Sequence, residues 1–177
     1  MYKIDKLLKQ DRQLFHTTDL ALLWEMDNKN TLYTTIKRYV QKGILIPIHK
    51  GFYSTVPTDH IDPIEVGIGA LHRFAYVSCE SILVEAGIIF QKDQYISLIS
   101  DVSRTFSIGE NRYRVRKIKQ SILFNDCEII NKSGIFFATV ERAVADLLYF
   151  NSHYYFDNAE SIDWRKVKKI QEEINYL

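Results

Sequence analysis

The sequence has little of what covalent or metal-bound scaffolds require. Its 177 residues include two cysteines, Cys79 and Cys127, in no closely spaced motif. A structural zinc site needs more ligands at tighter spacing, so both are expected as reduced thiols, with no metal and no cofactor. No run approaches the roughly 18 uninterrupted apolar residues of a membrane helix, so no membrane partner is expected. The opening MYKIDKLLKQDRQLF is charged throughout and lacks a signal-peptide core, which leads to an expectation of a cytoplasmic location. Charge of one sign is lacking too. Lys and Arg number 23 against 22 Asp and Glu, a net of +1, so total charge does not identify a polyanion binder. A Gly-rich phosphate loop is also missing, because Gly67-Ile68-Gly69 falls inside an apolar helical pattern.

What is present is a soluble globular composition, 46% apolar and 25% charged, with 11 Tyr and 10 Phe as core material. The charge is divided unevenly. Residues 1–57 hold nine Lys/Arg and five Asp/Glu, a net of +4. Residues 58–177 hold fourteen and seventeen, a net of −3. Two of the three prolines, Pro57 and Pro63, lie in the turn-rich stretch between these parts and suggest a boundary there. The organisation expected is therefore a basic head, 1–57, and a larger body, 58–177.

In the head, Ile4, Leu7 and Leu8 have the spacing of one helical face. Thr18 can cap a second helix from Asp19 to about Met26, with Leu20, Leu23 and Trp24 apolar. After the polar break 27–30, a third helix runs to about Lys42, and Gly43 follows as a stop. Two short apolar runs, 44–48 and 52–56, flank the turn His49-Lys50-Gly51. Three helices followed by a hairpin is the order of a winged helix-turn-helix, whose helix after the turn enters the major groove. If Leu32, Ile36 and Val40 face the core, Lys29, Tyr33 and Lys37 share another face. Asn30 and Thr34 lie beside them, Arg38 flanks the edge, and Lys50 caps the wing. These amide, hydroxyl and cationic groups suit base edges and phosphates, so double-stranded DNA is the expected partner.

The body reads as a mixed α/β domain with an antiparallel sheet, making the whole chain α+β. Expected strands are 74–77, 95–99, a hairpin 105–108 and 113–118, then 122–125, 128–130 and 135–138. Helices are expected at 64–72, at Cys79–Ala86 after Ser78, at 140–150 after the cap Thr139, and at 162–177. Arg112, Arg114 and Arg116 alternate with Tyr113 and Val115 and form a candidate phosphate or partner surface. Arg142 and Asp146, four apart, can pair. No catalytic arrangement is found and no enzyme is expected. The five histidines have no metal-ligand spacing, and the carboxylates a nuclease would need, Asp101, Asp126 and Glu128, are not brought together by the sequence.

Several segments together resemble the AbiEi-type antitoxins of abortive-infection systems, which are also transcriptional regulators. They are the hairpin ending Lys50-Gly51-Phe52-Tyr53, the run Tyr76-Val77-Ser78-Cys79-Glu80-Ser81-Ile82-Leu83, and Phe137-Ala138-Thr139-Val140-Glu141-Arg142-Ala143-Val144-Ala145-Asp146-Leu147-Leu148-Tyr149. The last is similar to the family's A-T-P-E-R-A-x-x-D signature, with Val140 in place of the proline that preorganises the first turn. The resemblance implies a repressor that binds inverted repeats in its own promoter. It also implies an antitoxin that neutralises a nucleotidyltransferase-like toxin encoded beside it, without a stable complex between them. The alternative from the residues alone is a protein-interaction module whose winged helix and carboxy-terminal sheet dock a protein partner.

Overall fold

Short capped helices and alternating strands build a mixed α+β fold. The computed structural model describes residues 3–91 and 94–176. The chain divides into two units, Met1–His72 and Arg73–Leu177. Among the described residues no helix is long and apolar enough to cross a membrane.

The first unit contains α1 (Lys3–Leu8), β1 (Leu14–His16), α2 (Thr17–Trp24), α3 (Lys29–Gln41), β2 (Ile46–His49), β3 (Phe52–Ser54) and α4 (Pro63–Leu71). The helix starts follow from local chemistry. At α2, the Asp19 carboxylate accepts the His16 backbone N–H at 2.8 Å, so the helix begins at Thr17, before the expected Thr18 cap. At α3, the Asn28 side chain accepts the Thr31 N–H at 3.1 Å. The strands form a three-stranded antiparallel sheet in the order β1-β3-β2. The core gathers Leu7, Phe15, Leu20, Trp24, Leu32, Ile36, Tyr39 and Leu45. Full burial of such side chains is worth about 1.5–3 kcal/mol each.

α4 belongs with this unit, so the expected boundary after Pro57 lies inside it. The reason is Gly69. A Cβ there would stand 3.0 Å from Leu14 Cδ1 and from Phe52 Cζ, so only glycine lets α4 approach the sheet this closely.

The second unit contains β4 (Ala75–Val77), α5 (Glu80–Glu85), β5 (Tyr95–Ser100), β6 (Arg104–Ile108), β7 (Asn111–Lys117), α6 (Gln120–Leu123), β8 (Ile129–Lys132), β9 (Ile135–Ala138), α7 (Val140–Phe150) and α8 (Trp164–Ile174). Its six-stranded sheet runs β6-β7-β5-β4-β9-β8. The sheet is mixed rather than antiparallel: β5 pairs parallel with β7, and β4 with β9. The β6–β7 hairpin joins β5 through β7, its second strand, which forces that ladder to be parallel. A second correction concerns 122–125, which is not a strand: Ile122 and Leu123 end α6, and a turn follows. Ile122 and Leu123 are both buried, and adjacent residues of a half-buried strand cannot point to the same side. α5, α7 and α8 supply most of the apolar side chains that cover the sheet.

Candidate nucleic-acid interface

α3 separates its residue types by face. Leu32, Thr35, Ile36 and Tyr39 are buried, while Lys29, Asn30, Tyr33, Thr34, Lys37 and Arg38 are exposed. Tyr33 is an aromatic ring left 55% exposed. Two of these side chains are already oriented. Thr34 Oγ1 donates to the Asn30 backbone carbonyl at 2.8 Å. The Arg38 guanidinium lies 5.9 Å from the centre of the Tyr39 ring. These six residues therefore offer three cations, an amide, a hydroxyl and a phenol to solvent, and the helix carries no carboxylate.

The hairpin supplies the seventh expected residue. Lys50 is exposed at the turn between β2 and β3. Gly51 follows at φ 80°, in the left-handed region, and its carbonyl accepts the Thr17 N–H at 2.9 Å. The hairpin base is held by packed rings. His16 lies 4.5 Å from Phe52 and 3.9 Å from His72, and His49 lies 5.2 Å from Phe52. His16 Nε2 is 2.7 Å from the Gly69 carbonyl. Burial lowers the His16 pKa, and the Gly69 bond only partly opposes it. All seven expected residues thus belong to the first unit, on two elements consecutive in the chain.

The arginine set of the second unit is broken up. Arg116 forks onto Glu80 at 2.7 and 2.5 Å. Arg114 lies 3.9 Å from Glu80 and 4.2 Å from the centre of the Tyr95 ring. Burial alone would push the Glu80 carboxyl up, but the Arg116 bonds and charge hold it below its ordinary value. Arg112, bonded to Gln94 at 3.0 Å, is exposed. All three expected cations thus have partners within their own unit, and Arg112 is the one of them that is exposed.

Sequence reading anticipated the Arg142–Asp146 pair but missed what surrounds it. Both side chains are fully buried, with Nε 3.1 Å from Oδ1. Asp146 also accepts from Ser78 at 2.6 Å, from Tyr76 at 3.2 Å and from Tyr176. Arg142 donates to the carbonyls of Ile122, Asn125 and Cys127. Sealed from solvent and satisfied on every side, this network is a brace that ties α7 to β4, to α6 and the turn after it, and to the chain end beyond α8.

The remaining chemical candidates are scattered. Asp101 pairs with Arg73 at 2.9 Å and Glu128 with Lys166 at 2.8 Å, while Asp126 is exposed. Among the described residues no group of three His, Cys, Asp or Glu is placed to hold a metal ion. Cys79 turns β4 into α5 at φ 55°, but its side chain is 0% exposed and burial pushes its thiol well up, so it offers no thiolate. Neither protein-family models nor curated proteins give a match to this chain.

Proposed function

We propose that the protein is a DNA-binding transcriptional repressor, and that the first unit is a winged helix with α3 as recognition helix and the β2–β3 hairpin as wing. The observation that carries this reading is the exposed face of α3, with its three cations, amide and hydroxyls and no acidic residue. Such a face meets a polyanion without repulsion and has groups for both phosphates and base edges. The similarity of the Thr139–Asp146 segment to the AbiEi signature extends the proposal. The protein then works in the cytoplasm as the antitoxin of an abortive-infection operon. It represses its own promoter through inverted repeats and opposes a nucleotidyltransferase-like toxin.

Titration of the full chain onto a duplex from its own upstream region tests the DNA reading. Tight, salt-sensitive binding is expected, because phosphate neutralisation releases counterions. No retention at low salt overturns it. Co-expression with the product of the adjacent reading frame tests the antitoxin reading: relief of growth arrest supports it, and unrelieved arrest opposes it. A protein-docking reading of the second unit has one observation in its favour. Phe74 and Phe124, the latter 63% exposed, place their rings 5.3 Å apart. A stable complex with that product in the absence of DNA favours docking.

A further inference from the structure

The hydrogen bonding of α3 limits what Thr34 can read. A hydroxyl has one proton, and Thr34 gives it to the Asn30 carbonyl at 2.8 Å. Toward solvent the residue therefore presents a methyl group and an oxygen that only accepts. In the major groove, guanine shows two acceptors, N7 and O6, and no donor. Thr34 against guanine sets acceptor against acceptor. Thymine offers a methyl group for apolar contact, and adenine and cytosine offer an amino donor. One turn earlier on the same face stands Asn30, exposed, with the donor and acceptor that match adenine N7 and N6. Both lie in the first two turns of α3, the part of a recognition helix that meets base edges. Lys29, Lys37 and Arg38, longer and charged, suit the phosphates on either side.

We infer that Asn30 and Thr34 together select an A·T-containing step of the bound duplex, Asn30 reading adenine and Thr34 taking the thymine methyl while rejecting guanine. The inference rests on the reading of α3 as the recognition helix. It names the base chemistry that reading requires.

The test is selection of random-sequence duplexes by the full-length wild type, Thr34→Ser and Asn30→Ala, followed by titration of the selected site with single-atom replacements. The position that Thr34 reads is the one whose preference changes in Thr34→Ser. Replacing its thymine with deoxyuridine removes only the methyl. Wild type should weaken by about fourfold, the worth of one buried methyl, and Thr34→Ser should not weaken at all. Replacing the adenine with 7-deazaadenine should cost wild type about fivefold and Asn30→Ala nothing, as for one lost hydrogen bond. Both substitutions lie on an exposed face, and unchanged melting curves exclude misfolding as the cause. Retention of no duplex by wild type overturns the DNA reading and this inference with it. Selection of a motif with guanine at the Thr34 position, or equal deoxyuridine costs in wild type and Thr34→Ser, overturns this inference and leaves DNA binding intact.

Discussion

Arg142 and Asp146 carry a large stability term for two side chains, because neither touches water. Removing one partner leaves a buried charge uncompensated, which costs about 3–5 kcal/mol. Asp146→Asn and Arg142→Ala should each lower the unfolding free energy, read from urea titration, by that much while leaving DNA affinity of the folded fraction unchanged. The same network makes the fold sensitive to alkali. Burial first, and then the Asp146 charge, push the Tyr76 and Tyr176 hydroxyls far above their ordinary value. Their contribution is complete below about pH 10, the unfolded tyrosine value, and is lost as pH rises beyond it. Glu80 works in the opposite sense. Its folded pKa is depressed, so its contribution is complete above the unfolded value of 4.5 and is lost as pH falls below it. Glu80→Gln should therefore flatten the acid limb of a stability–pH curve, and a limb unchanged from wild type would contradict the Arg116 fork. At this scale the sequence was half legible. A spacing of four marked the pair, but Tyr76 and Tyr176 reach Asp146 from 70 and 30 residues away, and no local pattern encodes that.

At the scale of elements, α3 was the most legible segment. Leu32 and Ile36, four apart, fixed its buried side, and the polar residues between them were left outside. β1 was not legible. It is only three residues long, and α2, α3 and β2 come between it and its partner β3 in the chain. The parallel β5–β7 ladder was hidden for a similar reason: alternation reveals a strand but not the direction of its neighbour. Two predictions belong here. Lys37→Ala should weaken binding to the upstream duplex and to random duplex alike, whereas Asn30→Ala should mainly reduce the difference between them, measured by competition titration. Gly51→Ala should destabilise the hairpin. Its φ of 80° is costly for any residue with a Cβ, and the added atom would meet Thr17 Oγ1 at 3.4 Å. A drop in melting temperature together with weaker DNA binding is expected, and an unchanged melt would contradict it.

For the whole molecule, a net charge of +1 conceals a basic first part. The +4 of residues 1–57 was legible by counting, and so was the α+β class. The unit boundary was not, because the prolines that suggested it precede α4, and Gly69 then carries that helix back onto the sheet. Four exposed cations, Lys29, Lys37, Arg38 and Lys50, are the phosphate-contact candidates of one chain. Four such contacts give a slope of about −3.6 for log affinity against log salt, or roughly a 100-fold loss between 50 and 200 mM. The most direct test is fluorescence anisotropy of the full chain on its upstream duplex across that salt range, repeated with Lys37→Ala. A slope near −3.6 that becomes shallower by about one unit in Lys37→Ala is the predicted result. Binding that ignores both the salt and the substitution, or no binding at the lowest salt, would contradict the assignment of α3 to DNA.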